Sequence, residues 1–470
     1  MSTGKNSRIG ANDNGVSIGQ VSPDSPKFSA SSASDLDDNY HLYQQHAGEA
    51  LDPVEAKRVL RKVDLRVMPI LVVIYLLQYL DKNGCQRIWP GRRPWADGQG
   101  FLEATVNPGF VMIISMWYRS AEQPLRLETY YCTNGIATMF GGLLGYAIGN
   151  IKSGLPQWMY VFIFFGSFSV IAGVWSLLIL PDSPSTAKFL RERERAVAVE
   201  RVAENRTGVK NRKFSTYQLR QTFYDPKTWI LFIMATAAQV PNSSLTSFAS
   251  TNVASFGFDT LATQYMQIPG GAVQFLALIT GGYICSKFPN LRCITMITAN
   301  TICILGAGLL VGLSDDNKWG RLVALWLCYF QGLGFSMSLT MVSSNIAGYT
   351  KKQLTGALLF TGYCIGNIIG PQTFRDTEAP YYHSAYIAYA LPLPVLRTRI
   401  ADRECSMLVG YSVKLLMAVI FYAYMYWVNK KRDREAAAEG LGSDEEEKAA
   451  IERGMHDMTE LDNKGFRYCL

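Results

Sequence analysis

Asp81, Lys82 and Glu103 are charged residues placed at or within apolar runs of the stretch LQYLDKNGCQRIWPGRRPWADGQGFLEATVNPGF, residues 77–110. An ionised side chain at the centre of a bilayer costs at least about 2.5–3.5 kcal/mol on insertion scales, so it is kept where it is paired or lines an aqueous cavity. If the first apolar helix starts near Leu65, Asp81 stands about 24 Å along it at 1.5 Å per residue. Two readings stay open for Asp81 and Lys82: a buried functional role, or an anchor at the outer interface. Glu103 has no adjacent basic residue, and the Asn107, Pro108 and Gly109 that follow loosen the helix and can leave a carbonyl free. Taking a carboxylate out of water favours its neutral form, which is what a proton-coupling group needs. The alternative is a glutamate near a helix end that faces water.

Softer polar signals within apolar segments are Asn134, Gln239, Asn242, Gln274, Gln331, Ser343, Ser344, Asn345 and Asn367. For any one of them a hydrogen bond between helices is the plainer reading, and contact with a ligand the sharper one. Lys414 is expected to snorkel outward.

The elements that carry these residues are set by how the apolar residues are distributed. Of 470 residues, 49% are hydrophobic and 18% charged, and the hydrophobic ones come in roughly ten blocks of the length a helix needs to cross about 30 Å of hydrocarbon. The predicted spans are 65–84, 101–117, 128–149, 158–180, 228–249, 264–285, 292–313, 321–345, 354–373 and 407–428. A mean hydropathy of only +0.06 reflects dilution by polar tails. Residues 1–63 form a tail rich in Ser, Asp, Asn and Gly at its start, which should be disordered and has no signal-peptide core. Residues 429–470 form a second tail, basic at NKKRDR and acidic at SDEEE (443–447), read as solvated and flexible.

Basic residues mark one side of the membrane. Arg58, Arg61, Lys62 and Arg66 precede the first span, and Arg119, Arg126, Lys287, Arg292, Lys351 and Lys352 occupy later connections. By the positive-inside rule both ends of the chain are expected in the cytoplasm. The central loop, 181–227, carries eleven Lys or Arg residues and includes KFLRERERAVAVERVAENR, an expected amphipathic surface helix. The sequon NRT (205–207) falls on this side and should be unused. Two connections break the charge rule, 85–100 and 389–406.

Glycines recur every four positions at 141, 145 and 149 and again at 362, 366 and 370. Such ridges let helix backbones approach closely in lipid, and their presence in both parts of the chain hints at an internal repeat. The nine cysteines lie scattered without paired spacing and read as packing residues. The four histidines (41, 46, 383 and 456) lie outside the spans, which argues against a histidine relay or metal site in the membrane. No nucleotide-binding loop, nucleophile elbow or HExxH spacing is present, so an enzyme has little support.

In order along the chain, DKNG, FLEATVNPGF, SMWYR, GGLLGY, LPDSP, DPKTW, GYTKK and GNIIGPQTF resemble fungal major facilitator superfamily transporters of the allantoate permease group, within the anion:cation symporters. The resemblance covers about 64–84 and 101–428. It implies an all-α integral membrane fold of two helical halves, 64–180 and 228–428. It also implies alternating access and uptake of a small organic anion with protons. On that likeness Lys82 is the candidate anion partner, Asp81 a candidate proton site, Glu103 the carboxylate implicated in proton coupling, and Asn345 and Asn367 cavity-facing positions. Asn107, beside Glu103, joins them on the expected pathway. Ala96 stands where such symporters often have an arginine.

The family has twelve spans, and this chain about ten. Two helices and their short basic loop are missing between the first and fourth, where only CQRIWPGRRPWADGQG stands. Joining Ala388 to Met407 restores a continuous last helix, so 389–406 reads as translated intron and 85–100 as the scar of a lost exon. The expected solute is allantoate-, nicotinate- or pantothenate-like. No cofactor is expected beyond the proton gradient, no metal and no nucleic-acid partner, and the chain is expected to be a monomer in the plasma membrane. The rival expectation is a non-transporting, truncated product or a membrane sensor that signals through its tails.

Overall fold

The computed structural model describes residues 52–88, 106–149, 154, 157–207, 214–247, 253, 265–314, 316–372, 406–439 and 443–470, all within one compact unit of residues 37–470. Every regular element among them is a helix. In chain order these are α1 (Pro53–Ile88), α2 (Val106–Trp117), α3 (Gln123–Tyr131), α4 (Thr133–Gly149), α5 (Gln157–Ile179), α6 (Glu192–Ala203), α7 (Thr216–Tyr224), α8 (Pro226–Ser247), α9 (Gln267–Lys287), α10 (Arg292–Gly312), α11 (Lys318–Cys328), α12 (Gln331–Asn345), α13 (Tyr349–Gln372), α14 (Ser406–Glu439) and α15 (Ser443–Met455). Five helical stretches among the described residues are long and apolar enough to cross a membrane: Pro53–Leu80, Gln267–Lys287, Arg292–Gly312, Lys318–Asn345 and Met407–Ala438. The other predicted spans are occupied by α2, α3 with α4, α5, α8 and α13. The segment 89–105, Glu103 and the connection 389–405 lie outside the described residues.

Polarity is inverted relative to a water-soluble core. Large apolar side chains point outward, with Leu177 85% and Leu178 80% exposed on α5 and Ile368 61% exposed on α13. Meanwhile α12 buries Ser336, Ser338, Thr340, Ser343, Ser344 and Asn345. Lipid is the solvent that makes this stable, because apolar surface has no incentive to leave hydrocarbon while polar groups must find partners inside.

In the first half α1 packs on α3, α4 and α5; in the second, α8 packs on α13 and α14, and α10 on α11, α12 and α14. The ridge at Gly362, Gly366 and Gly370 fits α8: a Cβ on Gly362 would lie 2.7 Å from the Phe232 carbonyl oxygen, and one on Gly366 2.5 Å from that of Thr236. On the other ridge a Cβ on Gly141 would touch only Leu80, at 3.7 Å. The buried cysteines Cys132, Cys285, Cys293, Cys303 and Cys328 fill helix contacts, as free thiols commonly do.

Three expectations are corrected. The first helix starts at Pro53, well before the predicted Leu65, because its polar first turns have a docking partner in α6. Lys62 is paired with Glu194 and Arg193 with Glu55 at 3.2 Å, and the hydrogen bond and charge of Lys62 hold Glu194 below the usual glutamate range. Lys414 does not snorkel: it is 1% exposed, and its Nζ has no hydrogen-bond partner among the described residues. It points inward from α14, so that a Cβ on Gly334 of α12 would lie 2.8 Å from it. The tail read as solvated and flexible is helical and largely exposed over its first turns, but packed at its end. α14 runs on to Glu439, α15 follows, and 456–470 fold against the bundle with Glu460 and Asn463 fully buried.

Candidate functional site

The halves meet where α3 and α4 lie along α9. A Cβ on Gly135 would sit 2.6 Å from the Gly271 oxygen, and one on Gly271 2.7 Å from the Gly135 oxygen, so the backbones are in contact. Small residues are required at such a crossing because packing holds helices together in lipid.

Toward the end of the bundle that bears the central loop, here termed the loop end, polar links cross this seam. The Ser336 hydroxyl on α12 donates to Glu128 Oε2 on α3 at 2.7 Å, and the Ser343 hydroxyl to Gln123 Oε1 at 2.7 Å. Ser286 donates to the Ala121 oxygen at 2.9 Å. The Arg292 guanidinium reaches both the Ser344 hydroxyl and the Ser120 carbonyl oxygen. Glu128 is 0% exposed, and its Oε1 finds no partner among the described residues. The contacts to Glu128, Gln123, Ala121 and Ser120 would break if the halves separated at this end.

Beside these links, rings continue across the seam. Tyr75 of α1 meets Tyr130 at 5.1 Å and Tyr131 at 5.3 Å. Tyr131 meets Phe335 of α12 at 6.2 Å, and Phe335 meets Tyr363 of α13 at 5.4 Å. Amphipathic tyrosines give such a lining apolar faces with hydroxyls that can bond.

Asp81 and Lys82 lie within α1, which continues past them to Ile88; their side chains, like Glu103, are outside the described residues. Asn107 sits in the first turn of α2, half-buried, with an Oδ1 that has no partner among the described residues. Asn367 donates to the Tyr363 carbonyl at 2.8 Å and reaches Gln239 Oε1 at 3.5 Å, which also accepts from Asn242 at 2.7 Å. Asn345 is fully buried and bonded to the last residues of the chain: its Nδ2 donates to the Cys469 oxygen at 2.9 Å and its Oδ1 accepts from the Cys469 N–H at 2.7 Å. The structure therefore separates Asn345, at the loop end, from the Gln239, Asn242 and Asn367 group between α8 and α13. Asn205 of the sequon is built into the fold, accepting from Ser120 N–H at 2.6 Å and donating to the Tyr118 oxygen at 2.9 Å.

The sequence reading passed over two carboxylates. Glu128 stands at the first position of the predicted span 128–149, and the sequence reading assigns it no role. The signal was available, since a lone carboxylate followed by TYYCTNGIATMFGG has no basic partner ahead of it. Glu460 gave no local signal. It is completely buried at the loop end, 2.6 Å from Lys227 Nζ and paired with Lys351 Nζ. Asp225 Oδ2 lies 2.7 Å from Lys351 and 3.4 Å from Lys227, giving two cations and two anions with no exposed side chain. Burial alone would push Glu460 up, but the charges and hydrogen bonds of Lys227 and Lys351 hold it well below the carboxylate range. Burial also pushes Tyr468, whose hydroxyl accepts from Lys227 at 2.8 Å, up to about 12.

Helices with apolar outer faces, packed around a buried polar and aromatic seam, define a multi-pass membrane protein. A profile of the Major Facilitator Superfamily matches residues 98–371, more than half of the chain, and the chain belongs to this superfamily of transporters. It is 29% identical to an uncharacterized transporter of Schizosaccharomyces pombe, with 88% of this chain and 87% of that one covered. The allantoate permease of Saccharomyces cerevisiae is 28% identical, over 79% of this chain and 66% of that one. Among solved structures, the E. coli fucose:proton symporter is similar with a TM-score of 0.47 at 12% identity, covering 82% of this chain and 90% of that chain.

Proposed function

We propose that this transporter takes up a small organic anion together with protons by alternating access. The observation that carries the reading is Glu128, a fully buried carboxylate on one half whose described partner is a hydroxyl on the other. An ionisable group is kept at such a place where its charge is used. A bond across the seam links its protonation to whether the halves are closed. Lys82 meets the anion, and Asp81 and Glu103 are further proton sites. Asn107 and Asn367 line the path with polar groups, and Asn345 stands at its closed end. Likeness to a permease named for the carboxylate allantoate supports the anion class. The reading places the loop end in the cytoplasm of a plasma-membrane protein, on the charge pattern.

Purified protein in proteoliposomes, offered radiolabelled allantoate, nicotinate and pantothenate, tests this. An inward proton gradient should drive accumulation of at least one, and a protonophore should abolish it. Glu128→Gln and Glu103→Gln should each lose gradient-driven accumulation and retain exchange. Uptake indifferent to the gradient, or unaltered by both substitutions, overturns the reading.

Two observations favour a second reading, a carrier that does not transport. Only 17 residues separate Ile88 from Val106, too few for two crossings at about 20 residues each, so the first half has four spans. In addition, the match to a second S. pombe transporter runs over 523 positions, more than the 470 residues of the chain, as a lost segment would require. Absence of flux for every solute, with flux restored when a relative's two helices are inserted after Ile88, would decide for this reading.

A further inference from the structure

Residues 456–470 occupy a surface of the second half through contacts more specific than those of a loosely adsorbed tail. Glu460 enters the pocket of Lys227, Lys351 and Asp225, and its Oε2 accepts from the Ala347 N–H at 2.9 Å. Without it the pocket would keep two lysines against one carboxylate, so it fits an acidic side chain. Arg432 of α14 donates to the Glu460 main-chain oxygen at 2.6 Å and to the Phe466 oxygen at 2.7 Å. Asn429 brackets Tyr468, donating to its oxygen at 2.9 Å and accepting from its N–H at 2.9 Å. Cys469 pairs with Asn345, and the Arg292 N–H donates to the Leu470 main-chain oxygen at 3.0 Å. Phe466 and Tyr468 are buried in the same core cluster as α12.

The same segment is tied to the other half. Arg206, just beyond α6, donates to the Gly465 oxygen at 2.7 Å and pairs with Glu447 at 2.7 Å. α6 is itself fixed to the first half by Arg201, 2.7 Å from Glu122, by Asn205 on Tyr118, and by Lys62 on Glu194. Arg292, which holds Leu470, also reaches Ser120 of the first half. Separation of the halves at the loop end would therefore have to tear either the segment from its pocket or Arg206 and Arg292 from their acceptors.

From this we infer that residues 456–470 are a tethered ligand: an acidic, aromatic peptide that occupies a basic pocket at the loop end and latches the two halves closed there. The inference rests on the halves moving apart in transport, and not on which solute or ion is carried.

The test uses the full chain in lipid nanodiscs, where both faces are accessible, and needs no substrate. Ser343→Cys is the reporter, since Ser343 of α12 is fully buried against Gln123 of α3 and meets solvent only when the loop end opens. Modification by a maleimide is followed by mass spectrometry of the peptide carrying residue 343. Deleting 456–470, or introducing Glu460→Gln, should raise the labelling rate at least tenfold. A synthetic 456–470 peptide added to the deleted form should restore slow labelling, and the same peptide with Glu460→Gln should not. An unchanged rate after deletion overturns the latch. So does fast labelling that the peptide fails to slow, because the segment would then be only a structural part whose loss damages the fold.

Discussion

Glu460 contributes one of four charges in a pocket closed to water, and removing one partner of such a set leaves an uncompensated buried charge that costs about 3–5 kcal/mol. Its carboxyl is held below its unfolded value by Lys227 and Lys351, so its contribution is complete above the ordinary glutamate range, near pH 4.3, and fades as pH falls through the lowered native value. The groups facing it are Asp225, Lys227, Lys351, Lys352, Arg432 and Tyr468. The melting-temperature difference between wild type and Glu460→Gln should thus stay constant from pH 5 to 8 and shrink in stronger acid. A difference that fades between pH 6 and 8 would assign the coupling to another group. Lys414 is the opposite case, a buried cation without a described partner, where burial of an unpaired polar head is a cost. Lys414→Met should leave the melting temperature unchanged or raise it, and a drop of several degrees would show that the ammonium binds something essential. At this scale the sequence revealed charges within apolar runs, which is how Asp81, Lys82 and Glu103 became visible. It hid Glu460, because that residue's lysine partners lie 233 and 109 positions away and its neighbourhood reads as ordinary polar tail.

Helices were legible where lipid alone determines them. The spans read at 158–180, 228–249 and 292–313 agree closely with Gln157–Ile179, Pro226–Ser247 and Arg292–Gly312. Agreement fails where protein takes the place of lipid: α1 and α14 run beyond the apolar stretch because α6 and 456–470 pack on their polar turns. The glycine ridge of α13 was legible too, as a spacing. A methyl on Gly366 would lie 2.5 Å from the Thr236 main-chain oxygen and 2.7 Å from Gln239 Cβ, whereas one on Gly356 would meet nothing within 4 Å. Gly366→Ala should therefore destabilise the protein by about 1–3 kcal/mol through overpacking, while Gly356→Ala should be neutral or gain up to about 1 kcal/mol of helix propensity. Thermal unfolding in detergent compares the two directly, and equal effects would mean that α8 and α13 do not meet closely.

Across the whole molecule, the described helices occupy four of the predicted spans before the central loop and six after it. Loss of an even number of crossings, as the second reading holds, would keep every later connection on its original side and so leave the charge pattern intact. The overall class could be read from periodic apolar blocks, whereas the packing of 456–470 at the loop end could not, since Glu460 meets Lys227 and Lys351 only through the fold. That return has a practical side. Because Leu470 abuts Arg292 beside the seam, a fluorescent protein or affinity tag fused directly after it would be delivered to the contact between α10 and the first half. Fusions for localisation or purification belong at the other end of the chain.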